Sequence, residues 1–127
     1  MFNKPSPAAV AVATLAVLGG LAPRVSAAAD AATGQAAFVE CAACHSIDGS
    51  NGVGPSLKGI VGRNSASVSG FPYSNAMKHA QLQWTTAQLD KYIANPQAAV
   101  PGNAMPYAGM TDAARRAALI AYLATLK

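Results

Sequence analysis

The stretch Cys41-Ala42-Ala43-Cys44-His45 holds both cysteines of the chain, and its reading decides the rest. Two thiols three positions apart, followed at once by an imidazole, form the C-x-x-C-H spacing that attaches c-type haem. The spacing has a physical logic. The thiols reach the two vinyl groups along one edge of the porphyrin, and the adjacent imidazole points at the iron from one face. Three other chemistries compete for the same residues. A thioredoxin-like redox pair wants a βαβ context, and no alternating strand pattern of useful length is present. A zinc site needs a second pair of ligands, and His79 stands alone. A disulfide across so short a loop adds little stability.

Upstream of this stretch the N-terminus reads as a secretory signal. Lys4 supplies a positive start, Ala8 to Leu18 is an apolar run of eleven residues, and Val25-Ser26-Ala27 offers small side chains for a signal peptidase. Cleavage is expected after Ala27 or one or two residues later. The competing reading is a membrane anchor. About 20 apolar residues are needed to cross ~30 Å of hydrocarbon, and Gly19-Gly20 and Pro23 break the run. The expectation is a signal over residues 1–27, one domain over residues 28–127, and a protein exported to the periplasm without a stable anchor. Such a compartment suits thiol chemistry.

Composition then poses a puzzle. The chain is 52% hydrophobic, but thirty of its 127 residues are Ala. From Ala28 onward only 17 side chains are Leu, Ile, Val or Phe. That is below the roughly 20% at which chains begin to look disordered. Seven basic and five acidic residues in the same stretch leave a net charge of +2, so charge does not hold it open. A domain with so little to bury needs another source of core, and a buried macrocycle supplies one. The small net charge excludes a nucleic-acid surface. The five acidic residues are scattered singly and make no calcium site.

Four helical segments joined by long loops are expected, an all-α class. The first spans about Ala31 to Ala43 with Asp30 as N-cap, and places Gly34, Phe38, Cys41 and His45 on one face. A loop with six glycines follows from Ser46 to Pro72, more irregular chain than a small domain tolerates unless it wraps something. A short helical turn is expected at Ser74 to His79. The third helix starts at a Thr85 to Gln88 capping box, carries Leu89 and Ile93, and ends at Pro96. A second loop runs from Gln97 to Met110. The last helix is expected to begin at Thr111 as N-cap, with Leu119, Tyr122, Leu123 and Leu126 on one stripe.

The order of these motifs resembles class I cytochrome c of the small, soluble, bacterial monohaem type, across nearly all of Gly34 to Tyr122. The matching stretches are Gly34 with Phe38, CAACH at 41–45, GPSLKGIVGR at 54–63, YSNAMK at 73–78, Trp84, Tyr92, NP at 95–96, PGNAMPYAG at 101–109 and LIAYL at 119–123. The resemblance implies the cytochrome c fold around one covalently attached haem c. It implies thioether bonds from Cys41 and Cys44, His45 as the proximal iron ligand, and the Pro55 carbonyl bonding the other ring nitrogen, which fixes a ligating imidazole. It implies Met105 as the distal ligand, since Met/His ligation is the cytochrome c pattern. Met110 is expected to pack on the last helix, and Met77 and His79 to be structural or exposed. Arg63, Tyr73 and Trp84 correspond to the family's propionate shell. Asn75, Tyr92 and Asn103 resemble the polar residues near the propionates, the Met sulfur and a buried water. Gly34 and Phe38 resemble the crossing with Leu119 and Tyr122.

With both axial positions filled there is no open site for substrate, so the resemblance implies one-electron outer-sphere transfer and no enzymatic activity. The implied partners are a membrane quinol:cytochrome c oxidoreductase and a terminal oxidase, or another periplasmic redox protein, met by a monomer. One departure concerns docking. The mature region carries only Lys58, Lys78, Lys91 and Lys127, and Ala104 precedes Met105. Electrostatic steering is therefore expected to be weak, with Ala42, Ala43, Ala104 and Pro106 as an apolar rim. Two rivals stand beside the shuttle. One is a dedicated electron-accepting subunit of a periplasmic dehydrogenase. The other is a haem enzyme or ligand sensor whose axial Met leaves.

Overall fold

The computed structural model describes Met1 and residues 27–127; the expected signal over residues 1–27 lies, but for its two ends, outside these. Among the described residues there are six helical segments where four were expected: α1 (Ala27–Ala37), α2 (Val39–Ala42), α3 (Asn75–His79), α4 (Thr86–Ala94), α5 (Pro96–Ala99) and α6 (Ala113–Leu123). Among the described residues the only extended pairing is an isolated antiparallel bridge between Asn64 and Gln83. The class is all-α, with long loops.

The first expected helix is really two. Phe38 keeps right-handed helical angles between α1 and α2, but the hydrogen bonding tightens there, Cys41 N to Phe38 O at 2.8 Å. Asp30 does not cap it. The helix already runs from Ala27, so Asp30 sits in its first turn, where a carboxylate favours the positive end of the helix dipole.

The caps explain the other boundaries. Ser74 accepts from Met77 N to start α3, and Thr85 accepts from Gln88 N to start α4. Pro96 does more than end α4. Asn95 closes α4, then its side chain accepts from Ala98 N and opens α5 with Pro96 in the first turn, where a missing N–H costs nothing. The last helix begins one residue later than expected. Asp112, not Thr111, is the N-cap, because its carboxylate accepts from Arg115 N at 3.0 Å. The Thr111 carbonyl is taken instead by Arg116 Nη1 at 2.9 Å.

The core forms where α1 crosses α6. Gly34 is the contact point: a Cβ there would lie 2.6 Å from the Ala118 carbonyl carbon and 2.7 Å from Tyr122 Cβ, and closer still to the Ala118 oxygen. The bare backbone lets Phe38 reach Tyr122, ring centroids 5.6 Å apart. Leu119 and Leu123 bury their side chains on the same stripe, as expected, and Leu126 is half-buried. Each such Leu or Phe stabilises the fold by roughly 2 kcal/mol through burial. Tyr92 on α4 packs against Trp84 at 5.0 Å between centroids. Met110 is buried in the same cluster, its N–H donating to Ile93 O at 2.8 Å. Gly109 permits that approach: its φ is +108° and a Cβ would crowd Ala94.

The glycine-rich loop is stitched to the rest by backbone. Gly62 N reaches Trp84 O at 2.9 Å, Trp84 N reaches Arg63 O at 2.8 Å, and Gly59 N reaches Leu126 O at 2.8 Å. No helix among the described residues is long and apolar enough to cross a membrane.

Candidate functional site

Cys41, Cys44 and His45 are presented by one tight turn. Cys41 lies in α2, and its carbonyl accepts from Cys44 N at 3.1 Å and from His45 N at 2.9 Å. Cys41 packs against the core, and burial pushes its thiol up to about 11.

The loop then aims the imidazole. His45 Nδ1 donates to the Pro55 carbonyl at 2.7 Å, which leaves Nε2 as the acceptor nitrogen facing away. Gly54 is pressed against the ring: a Cβ there would lie 2.7 Å from Nδ1 and 2.9 Å from Nε2. Gly54 N also donates to Cys44 O at 2.8 Å, so turn and loop hold each other in register.

Met105 stands on the other loop, half-buried against the core cluster. Its position is set by Asn103, which is 7% exposed. The Asn103 amide donates to Pro96 O and Val100 O, both at 2.9 Å, and its oxygen accepts from Met105 N at 2.9 Å. Gln97 adds a bond to the Asn103 carbonyl at 3.0 Å. Met77 is buried in the core and His79 is exposed, as the sequence suggested.

Arg63 reaches back across its own loop. Nη1 donates to Lys58 O and Nη2 to Ser56 O, each at 2.9 Å. Its Nε is buried and has no partner. Burial lowers the guanidinium from its ordinary value. A buried donor without an acceptor is uncommon, and the geometry suits a carboxylate arriving from a bound group. Tyr73 accepts from Val68 N at 3.2 Å and stacks edge-on with Phe71, centroids 4.8 Å apart. Trp84 and Tyr92 are buried together, and burial pushes the Tyr92 phenol up to about 12. Asn75 is exposed at the start of α3, where its carbonyl meets His79 Nδ1 at 2.7 Å.

Among the described residues no group of three or more His, Cys, Asp or Glu comes together. The zinc reading thus lacks its donor set among them. A family model described as cytochrome c matches residues 31–127.

The chain belongs to the cytochrome c family.

Its relatives agree. It is 51% identical over 98 residues to the cytochrome c-type cyt cy of Rhodobacter capsulatus, an alignment covering 76% of this chain and 49% of that one. It is 46% identical over 91 residues to cytochrome c2 iso-2 of Magnetospirillum fulvum, covering 71% of this chain and 95% of that one. Cytochrome cH from Methylobacterium extorquens superposes with a TM-score of 0.73 at 42% identity, covering 76% of this chain and 98% of the other. The chain thus spans about half the length of the Rhodobacter relative and nearly all of the other two. This cytochrome c is of the class I bacterial monohaem type, carries one covalently bound haem c, and is an electron carrier.

The chain's own residues fit that group. The unpartnered Arg63 Nε offers a donor to a propionate, Gly54 leaves room only for the bare ring of His45, and His45 Nε2 is free to bind a metal.

The sequence missed several contributors. Ser56 is 3% exposed; its hydroxyl accepts from Gly49 N and Lys58 N, and its carbonyl receives Arg63. Arg116 is buried on α6, with Nη1 on Met110 O at 2.8 Å and Nε on Asp90 at 2.8 Å. Its place three residues before Leu119 on the apolar stripe was the signal. Glu40 accepts from the Tyr107 hydroxyl at 2.8 Å and pairs with Arg115. These contacts hold the Glu40 carboxyl below its ordinary range. The Tyr107 phenol is pushed up to about 12, by burial first and by Glu40 second. Ala42, Ala43, Ala104 and Pro106 are all exposed, as are Val39 and Val53 at 69% and 74%.

Proposed function

We propose that this protein is a soluble periplasmic carrier of single electrons between membrane-bound respiratory or photosynthetic complexes. A quinol:cytochrome c oxidoreductase would be its donor, and a terminal oxidase or another periplasmic redox protein its acceptor. In this reading residues 1–27 are a signal that is removed, and residues 28–127 form the mature domain.

The observation that supports the reading is that the His45 ring is oriented by a backbone carbonyl, as a metal-binding imidazole requires, while the Met105 backbone is separately fixed by Asn103. In this reading His45, bonded to Pro55 O, and Met105, whose N–H is bonded to Asn103, would be the two iron ligands. Bound haem supplies a one-electron couple whose potential is raised by thioether ligation. The protein's own residues do the rest. Cys41 and Cys44 hold the macrocycle by thioethers. Arg63, with Tyr73 and Trp84, would receive the propionates; Asn75, Tyr92 and Asn103 would supply the polar surroundings of the propionates, the Met sulfur and a buried water, and Asn103 fixes the Met105 backbone. Pro55 keeps the proton on His45 Nδ1, so that Nε2 stays a ligand. With His45 and Met105 both bound to the iron, no position would be left for a substrate, which favours electron transfer without bond making.

The exposed rim of Ala42, Ala43, Ala104 and Pro106, flanked by Val39, suits brief apolar docking. Association rates with a redox partner should then change little with added salt.

The test is the absorption band of the Met–iron bond in the mature ferric holoprotein. It should be present at neutral pH and lost in Met105→Ala. Immediate capture of added cyanide by the unmodified protein would instead favour the enzyme or sensor reading. Removal of Cys41, Cys44 or His45 should prevent stable holoprotein, and the haem-free chain should not fold cooperatively.

A further inference from the structure

The segment from Ala104 to Ala108 is tied down at only a few points. Ala104, Pro106 and Ala108 carry no hydrogen-bonding side chain, Met105 has only a weakly accepting sulfur, and Pro106 has no N–H. Upstream, Asn103 fixes the Met105 N–H. Downstream, the one polar side chain in the segment is that of Tyr107. Exposure alternates along it: Ala104, Pro106 and Ala108 face solvent, while Met105 and Tyr107 turn inward. Met105 and Tyr107 are coupled directly, Tyr107 N donating to Met105 O at 2.9 Å.

Tyr107 spends its hydroxyl on Glu40 Oε2 at 2.8 Å, across 67 positions of sequence. Glu40 lies in α2, immediately before Cys41. Its other oxygen is paired with Arg115 in the first turn of α6. The carboxylate is thus held from two sides, and the loop that carries Met105 is fastened to the helix that carries the thiols. A charged acceptor makes the stronger kind of hydrogen bond. A single long-range contact of this sort acts on the loop without contributing to the buried core.

We propose that Glu40, oriented by Arg115, is a positioning residue that latches the Met105 loop through Tyr107 and sets how readily Met105 gives way to an outside ligand. The proposal rests on the reading of Met105 as the distal ligand. The Tyr107 ring packs against the core, but its hydroxyl bond to Glu40 lies at the edge of it, which predicts a separation of effects: removing that bond while keeping the ring should loosen the loop and leave the folded domain nearly as stable.

The experiment uses the mature ferric holoprotein, with imidazole in excess as the probe. It is run above the pKa of imidazole, so that the probe is uncharged and a changed charge at position 40 does not itself steer it. Tyr107→Phe and Glu40→Ala should each speed imidazole capture by about three- to tenfold, the factor that one net hydrogen bond carries. The double variant should be no faster than either single one, because all three lose the same bond. Glu40→Gln, whose amide oxygen still accepts from Tyr107, should fall between these and the unmodified protein. Amide exchange at Tyr107 and Ala108 should rise in step with capture, with little change in thermal midpoint. Unchanged capture in Tyr107→Phe, or rates that multiply in the double variant, would overturn the latch. The underlying ligand reading fails separately: a Met–iron band that survives in Met105→Ala would refute it whatever the latch variants do.

Discussion

Replacing Gly34 with Ala sets two effects of opposite sign against each other. In a helix interior the change alone should stabilise by about 1 kcal/mol, because Gly gives up more backbone freedom on folding. Gly34, however, lies against α6. The new methyl would sit 2.6 Å from the Ala118 carbonyl carbon and 2.7 Å from Tyr122 Cβ. Ordinary contact is about 3.5 Å or more, so α1 must withdraw by about 1 Å or more, the nearer Ala118 oxygen making the larger demand. The atoms in the way are helical backbone and a Cβ, which cannot turn aside as a side-chain tip can. A gap of that size forfeits about a quarter to a half of the dispersion energy across the crossing, where Ala37, Phe38, Leu119 and Tyr122 are all buried. Overpacking of this kind costs about 3 kcal/mol, so the net loss is about 2 kcal/mol. In a domain of this size that lowers the melting temperature by about 8–16 °C. Thermal and urea unfolding of the holoprotein measure it. Gln35→Ala, on the exposed neighbour, is the control and should move stability by less than about 0.5 kcal/mol. A Gly34→Ala holoprotein as stable as the unmodified one, or more so, would refute the argument that the crossing is closed against even a methyl group.

Two further outcomes follow from the same geometry. Asn103→Ala removes the bonds to Pro96 O, Val100 O and Met105 N; it should cost about 3 kcal/mol at roughly 1 kcal/mol for each bond, read by urea unfolding, and should weaken the Met–iron band. Tyr92 concerns the alkaline limit. Its phenol is raised from 10.0 to about 12 by burial, so the fold favours the neutral form. The resulting stability is fully present below the ordinary value and is lost as pH climbs through the window between the two. About 2–3 kcal/mol should disappear there, and Tyr92→Phe should flatten that part of the stability–pH curve; an unchanged curve would mean the phenol is not what limits it.

What could be read from the sequence was local. CAACH, the Thr85 cap and the Leu119 to Leu123 stripe each need only a few neighbouring residues to make sense. The failures came partly from competing local signals and partly from contacts made at a distance. Thr111 and Asp112 both make good caps, and the choice between them is decided by Arg116, which claims the Thr111 carbonyl. Pro96 read as a stop for α4, although Asn95 followed by Pro96 is equally a local start signal, an N-cap with Pro in the first turn. Gly109 looks like any loop glycine until its φ and the nearness of Ala94 are known. Glu40 and Tyr107 had no reason to be paired at all across 67 positions. The thin core held the most useful global clue, since a shortage of apolar side chains pointed to a bound group before any contact was known.

The anchoring of Arg63 has a consequence for the rate of electron transfer. Two arms of its guanidinium are held by the backbone carbonyls of Ser56 and Lys58, themselves fixed in a stitched loop. Such dipoles cannot swing when a charge beside them changes by one unit, whereas a free ammonium would rotate and pull water with it. Preoriented groups of this kind contribute little reorganisation. With Arg63 on a propionate, as proposed, the glycine-rich loop would lower the barrier to each transfer by keeping its surroundings still.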